Sequence, residues 1–311
     1  MAVIYKAGDN IWQVDLFEQG IAGRTSCFIV AGKEKVALVE TGPTPSTKYI
    51  LEALEVLGID RERISYVFVT HIHLDHAGGA GNLLRYLPRA YLAVHPRGAR
   101  HMISPEKLEA AAKAIYGERF LPFFEKIIPA PAERVLETAD GQEFDLGGRV
   151  LTVYHTSGHA RHHQVITDSL TRGLFSGDMA GVLNNIIKNR YGKVFVYPST
   201  PATEFEPEKM ILELKRFLKL GLERIYYTHF GVVENPGEIF HYLIREVEEY
   251  ERLGREILAQ NLGIKEMRQA LTYRVYLEAA KKGVFLDDDI KNSFELDLEL
   301  NAAGILHYLT K

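Results

Sequence analysis

The sequence has a single cysteine, Cys27, among 311 residues. That excludes an intrachain disulfide and any cysteine-based zinc site, and it suits a reducing compartment. Long apolar runs are also missing. Charge interrupts each one before the roughly 18 residues that a membrane span needs, so neither an anchor nor a membrane partner is expected. The opening MAVIYKAGDNIWQVDL turns polar at Lys6 and Asp9 and lacks the apolar centre of a signal peptide, which makes a cytoplasmic location the expectation. Nor does one sign of charge dominate. The 41 acidic and 37 basic residues leave a net charge of −4, which gives no field to hold a nucleic-acid backbone, so no nucleic-acid partner is expected. No G-x-S-x-G elbow and no repeat is present, which weakens a serine-hydrolase reading and excludes a solenoid.

Histidine is what stands out, with 12 residues. Their setting follows from the pattern of elements. Cys27 to Val30 and Val36 to Val39 are short β-type runs flanking a turn, and Ile50, Leu51, Leu54 and Leu57 recur at helical spacing. Tyr66 to Thr70 is aromatic and β-branched without polar alternation, as expected of a strand buried on both faces. Strands and helices then alternate, with strands at Tyr91 to His95 and Ile225 to Thr228 and helices near Pro105 to Tyr116 and Glu208 to Leu220. From about Asn235 the pattern is helical to the end. Its dense Lys and Glu read as solvated helix faces, with a homodimer contact or a substrate lid as the alternative. Cys27 lies in an apolar run and reads as core.

The densest chemical signal is Thr70-His71-Ile72-His73-Leu74-Asp75-His76-Ala77-Gly78-Gly79, at a strand-to-helix junction. Three imidazoles and a carboxylate within six residues are costly to hold together unless something engages their lone pairs, and a divalent cation does that well. The spacing suits two adjacent metals and differs from H-E-x-x-H, in which two histidines share one helical face. Further ligand types stand at the ends of other strand-like runs: His159 in Gly158-His159, Asp178 in Gly177-Asp178 and His229 in Thr228-His229. Gly79-Ala80-Gly81 lacks the third glycine of a dinucleotide fingerprint and reads as close backbone packing. His95, His101, His155, His162, His241 and His307 read as surface or hydrogen-bonded structural residues.

This ordered set, spread over roughly residues 10 to 235, closely resembles the metallo-β-lactamase superfamily of hydrolases. The resemblance implies an α/β fold, an αβ/βα four-layer sandwich over residues 1–235, followed by a helical C-terminal extension over 236–311. It implies that His71, His73 and His159 hold one metal, that Asp75, His76 and His229 hold a second, and that Asp178 bridges them. The implied cofactors are two divalent metal ions, zinc first, with iron or manganese as alternatives. His163 matches a frequent family position beside the ligands. The chain departs from the family at Glu40-Thr41-Gly42, where members usually carry Asp-Thr-Gly. The longer acid there puts the outer hydrogen bonding of the site in question.

Two metals that share one water lower its pKa from about 15.7 toward about 7 and supply hydroxide near neutral pH. The expected function is therefore metal-dependent hydrolysis of an ester-like bond, a lactone, thioester or similar, in a small-molecule substrate, with Asp75 and Asp178 orienting the hydroxide and carrying its proton. The alternatives are a phosphodiesterase of the same fold and a di-iron redox or oxygen-handling protein. His73 argues against the latter, since the family's di-iron redox members usually carry Glu there, a harder oxygen ligand. Asn184, Asn185, Tyr191, Phe195 and Tyr197, in an irregular polar and aromatic stretch, are candidate pocket residues.

Overall fold

The first half of the chain builds a seven-stranded sheet in sequence order: β1 (Ile4–Gly8), β2 (Ile11–Asp15), β3 (Ser26–Ala31), β4 (Val36–Val39), β5 (Ile64–Phe68), β6 (Tyr91–Val94) and β7 (Val135–Glu137). The structure, a computed structural model, describes residues 1–201 and 203–311. β1 to β4 pair antiparallel through short connections. β4 to β7 pair parallel, because the connections between them carry helices. These are α1 (Thr47–Val56), then α2 (Leu74–Ala77) and α3 (Ala80–Leu84), then α4 (Pro96–Ile103), α5 (Glu106–Tyr116) and α6 (Phe120–Phe124).

A second sheet follows, from β8 (Glu143–Asp145), β9 (Val150–Thr156), β10 (His163–Asp168) and β11 (Gly173–Phe175). Next along the chain come β12 (Val182–Leu183), α7 (Asn185–Tyr191), β13 (Val196–Tyr197) and α8 (Pro207–Phe217). β14 (Arg224–Tyr227) and β15 (Gly231–Glu234) then complete the six-stranded order β15-β14-β11-β10-β9-β8. β12 and β13 form a separate antiparallel ribbon. Three long helices end the chain: α9 (Pro236–Ala259), α10 (Ile264–Lys281) and α11 (Asp288–Leu309). Among the described residues no helix is long and apolar enough to cross a membrane.

The period-two rule explains why the central strands carry no polar alternation. Phe28, Val30, Ala37, Val39, Phe68 and Ala93 share a core with Phe144, Leu151, Val153, Ile166 and Phe175 of the second sheet. Their neighbours Cys27, Ile29, Val36, Leu38, Val67 and Leu92 join the core formed with Ile50, Leu54, Leu83 and Ala99 of the helices. Each strand thus buries both faces, one against a sheet and one against helices. Cys27 is part of this core, and burial, reinforced by the charge of Glu40, pushes its thiol up, away from nucleophilic use.

The chain divides into two compact units. One comprises Met1–His155, His162–Gly177 and Glu223–Val232 and contains the packed sheets; the other comprises Thr156–Arg161, Asp178–Leu222 and Val233–Lys311. In the second unit the apolar stripe of α11 is Ile290, Phe294, Leu298, Ala302 and Ile305. Phe294 meets Phe195 and Tyr197 of the β13 region, at ring-centroid distances of 5.7 and 5.3 Å.

Candidate metal centre

Every ligand-type residue singled out in the sequence follows the C-terminal end of a strand: His71 after β5, His159 after β9, Asp178 after β11 and His229 after β14. Open α/β sheets place their chemistry at such ends, where the backbone leaves the ladder and side chains are free to converge. The structure brings His71, His73, Asp75, His76 and His229 together in the first unit, and His159 with Asp178 in the second.

In the first unit, ligand atoms of Asp75, His76 and His229 all lie within 4.8 Å of one another. Asp75 Oδ2 stands 3.5 Å from His76 Nε2 and 3.7 Å from His229 Nε2. Metal–ligand bonds of about 2.0–2.1 Å in a tetrahedron set ligand atoms about 3.4 Å apart, so these spacings fit a small divalent cation. His71 Nε2 and His73 Nδ1 approach to 2.8 Å, a second convergence of ring nitrogens. The donor set is imidazole and carboxylate throughout, the chemistry of zinc, iron and manganese sites.

The outer hydrogen bonding settles which ring nitrogen faces inward. Glu40, fully buried, stands immediately after β4 and takes four contacts. Its Oε1 accepts from Thr70 Oγ1 at 2.5 Å and Thr228 Oγ1 at 3.1 Å and lies 3.0 Å from His76 Nδ1, while Oε2 accepts from the Thr70 N–H at 3.2 Å. A carboxylate only accepts, so His76 carries a proton on Nδ1 and turns Nε2 toward Asp75. Thr70 has one hydroxyl proton, already given to Glu40, so it accepts from His71 Nδ1 at 3.1 Å. His71 thereby turns Nε2 away from Thr70 and toward His73 Nδ1. One carboxylate thus orients both rings, and the length of the Glu40 side chain lets it reach every donor. Glu40 does this at φ +69°, a left-handed backbone that costs a non-glycine residue about 1 kcal/mol or more.

Backbone contacts fix the surrounding loops. The His76 carbonyl accepts from the Thr41 and Gly42 N–H groups at 2.9 and 3.1 Å, and the Thr228 carbonyl accepts from the Ser26 N–H at 2.8 Å. His163, fully buried, stacks on His71 at 4.9 Å between centroids. Gly177 (φ +49°) is required beside them, since a Cβ there would lie 2.5 Å from Thr70 Oγ1 and 2.7 Å from His163 Nε2. Gly79 also packs closely, its N–H donating to the Gly42 carbonyl at 2.7 Å.

In the second unit, His159 Nε2 stands 3.5 Å from Asp178 Oδ2, again the edge length of a metal tetrahedron. Ser199 touches both. Its hydroxyl donates to Asp178 Oδ2 at 3.1 Å, and its carbonyl lies 3.3 Å from His159 Nδ1, which donates to it.

Reading the sequence missed Ser199 and also Glu18. Glu18 is buried and lies 3.3 Å from Arg24 Nε. Burial pushes its carboxyl up, Arg24 opposes that, and Asp75 adds to it, so this acid sits within electrostatic reach of the cluster. No motif marked either residue.

Among the described residues, the groups with metal-binding spacing include none of the remaining histidines. His95 caps α4, accepting from the Arg97 N–H at 3.1 Å, and packs against His155 at 4.2 Å between centroids; His155 Nε2 lies 3.0 Å from Thr138 Oγ1. His162 Nδ1 accepts from the Ile72 N–H at 3.4 Å. The stretch after Asp178 is regular rather than irregular, forming β12, α7 and β13, and its residues have structural partners. Asn184 caps α7 and donates to Ser293 Oγ at 2.8 Å, the Tyr191 hydroxyl donates to the Phe285 carbonyl at 3.1 Å, and Phe195 and Tyr197 are buried against Phe294.

The family model described as the metallo-beta-lactamase superfamily matches residues 20–229. Metallo-beta-lactamase fold-containing protein ST1585 of Sulfurisphaera tokodaii is 30% identical over 177 residues, 55% of this chain and 62% of that protein. Acyl-coenzyme A thioesterase MBLAC2 of Bos taurus is 27% identical over 55% of this chain and 64% of its own length. Atrochrysone carboxyl ACP thioesterase of Aspergillus fumigatus is 26% identical over 63% of this chain and 47% of its own length. The chain thus spans less than two thirds of each of these curated relatives. Among solved structures, the archaeal metallo-beta-lactamase superfamily protein ST1585 from Sulfolobus tokodaii aligns with a TM-score of 0.62 at 22% identity, covering 91% of this chain and 93% of that one. Metallo-beta-lactamase family protein TTHA1429 from Thermus thermophilus gives 0.65 at 19% identity, covering 92% and 88%. The likeness to these structures is one of fold.

Proposed function

Since the chain belongs to the metallo-β-lactamase superfamily, we propose that it is a dinuclear metal-dependent hydrolase acting on an ester-like bond of a small molecule, with thioesters foremost. The observation that carries this reading is the orientation of the histidines. Glu40, Thr70 and Ser199 occupy the outer nitrogens of His76, His71 and His159, so that each ring turns its Nε2 inward, the atom that in a neutral imidazole is a metal ligand. Such an arrangement has no use in a solvated polar loop and suits cation binding.

In this reading His71, His73 and His159 hold one cation, Asp75, His76 and His229 hold the other, and Asp178 is shared. Zinc is the first candidate, and iron and manganese fit the same donors. Divalent cations there would supply Lewis acidity toward the substrate oxygen and lower the pKa of water toward about 7. Asp75 and Asp178 orient the attacking water and hold the proton that passes to the leaving group. With the histidines held by their outer partners, no reorganisation of the protein is needed as charge develops.

Thioesters are placed first because two of the relatives are named as thioesterases. The single buried cysteine supports a cytoplasmic setting, in which reduced thiols persist. A turnover screen of thioesters, lactones and phosphodiesters with zinc-loaded protein tests the proposal. The expected result is thioester or lactone cleavage that a chelator abolishes. Cleavage confined to phosphodiesters, or turnover indifferent to chelation, would overturn it.

A further inference from the structure

The apolar stripe of α11 is broken by one buried polar residue, Asn301, which is 3% exposed. Its amide brackets Ser199. Nδ2 donates to the Pro198 carbonyl at 2.8 Å, and Oδ1 accepts from the Thr200 N–H at 2.7 Å. Thr200 Oγ1 lies a further 3.0 and 3.1 Å from the side-chain and main-chain oxygens of Asn301. The residues on either side of Ser199 are therefore fixed by one side chain that lies 101 residues beyond Thr200. α11 approaches this strap closely: at Gly304 an added Cβ would lie 2.2 Å from the Thr200 carbonyl oxygen and 2.5 Å from that of Pro201, so only glycine fits.

The fixed residue is the one that engages two proposed metal ligands. We propose that Asn301 is a positioning residue for the metal centre: through the Pro198–Thr200 backbone it holds Ser199 against Asp178 and His159. The C-terminal helix thus contributes to the centre without supplying a ligand. Ser199 fixes the His159 proton on Nδ1 through its carbonyl and one Asp178 oxygen through its hydroxyl. Both contacts need the main chain at Ser199 to be held to within a few tenths of an ångström, because a hydrogen bond weakens steeply once stretched or bent. A buried amide whose oxygen and nitrogen both have main-chain partners is well suited to that, since turning it over would break both contacts. This proposal rests on the metal-centre reading above.

The test is zinc affinity of the metal-stripped full chain, measured by chelator competition, together with the absorption spectrum of the cobalt-loaded protein. Asn301→Ala and Ser199→Ala are compared with Ser293→Ala, which loosens α11 at its contact with Asn184 without touching the strap. Loss of an outer hydrogen-bond partner typically weakens metal binding about 10- to 100-fold. That loss is expected for the Asn301 and Ser199 variants, with an altered cobalt spectrum, while Ser293→Ala stays within about twofold even if its Tm falls equally. Should Asn301→Ala not fold, Asn301→Asp keeps the shape and the acceptor toward Thr200 but sets an oxygen against the Pro198 carbonyl, and the same loss is expected. Folded Asn301 variants with wild-type zinc affinity and cobalt spectrum would overturn the proposal and leave the metal-centre reading standing. A wild-type chain that binds no zinc would overturn both.

Discussion

Glu40 Oε1 and His76 Nδ1 lie 3.0 Å apart, both residues fully buried, at the ends of two structural elements that the sequence separates by 36 residues. The same oxygen accepts from Thr70 and Thr228, so a single carboxylate ties the loops after β4, β5 and β14 together. This orienting role offsets the burial and backbone strain that count against an acid at this position.

Two substitutions separate charge from reach at this position. Glu40→Gln keeps the length and removes the charge that His76 and the two threonines address; zinc affinity is expected to fall about 10- to 100-fold. Glu40→Asp restores the usual family residue and relaxes the left-handed backbone, yet withdraws the carboxylate by about one bond length, about 1.5 Å. A loss of about tenfold is expected there as well. Zinc competition on purified variants reads both, and wild-type affinity in Glu40→Asp would show that the longer side chain is not needed.

Asp178→Asn keeps the size of the side chain and its contact with Ser199 while removing a charge shared between the proposed cations. Hydrolysis should fall by about 10³-fold or more with Tm and circular dichroism little changed. Turnover of the best substrate within a factor of a few of wild type would remove Asp178 from the chemistry.

His95 makes stability fall as pH drops. Burial, reinforced by His155, His162 and Arg97, lowers its imidazole to about 4, against 6.5 for the free side chain. Above about pH 6.5 the group is neutral in folded and unfolded chains alike and contributes no penalty. Between about 6.5 and 4 the unfolded chain takes up the proton first, and stability declines by about 2 to 3 kcal/mol in all. His95→Asn retains an acceptor for the Arg97 N–H but does not titrate. Urea unfolding at pH 4.5 and 7.5 should show a smaller loss for His95→Asn than for wild type; equal losses would contradict the assignment.

A purely structural control lies in the same unit. Arg149 and Asp168 are both buried and paired at 2.9 Å, and Arg149 also donates to the Ala31 carbonyl at 3.0 Å. Asp168→Asn leaves the guanidinium uncompensated and should cost about 3 to 5 kcal/mol of unfolding free energy. Turnover per folded molecule should be unchanged, which a denaturation curve and a kcat measured below the Tm report together.

What was legible in the sequence was local. His71 to His76 fall within six residues, so their clustering needed no tertiary knowledge, and Tyr66 to Thr70 announced a buried strand by composition alone, where β5 runs from Ile64 to Phe68. The proposed ligands Asp178 and His229 were visible because each follows a short apolar run that reads as a strand. Ser199 and Asn301 were not legible, since their importance lies in contacts spanning 21 and 101 residues and no motif encodes such pairings. Asn301 did leave a trace, a polar residue in the helical stripe of Phe294, Leu298 and Ile305. Phe195 and Tyr197 misled for a related reason: an aromatic pair in a stretch bounded by Gly192 and Pro198 looks the same whether it lines a pocket or packs on a helix far along the chain.

The most direct test of a dinuclear hydrolytic centre is to titrate the metal-stripped chain with zinc while recording thioester hydrolysis. Activity should be absent without metal and rise to a plateau at two equivalents per chain. Full activity in the metal-free protein, or a titration to which hydrolysis does not respond, would contradict it.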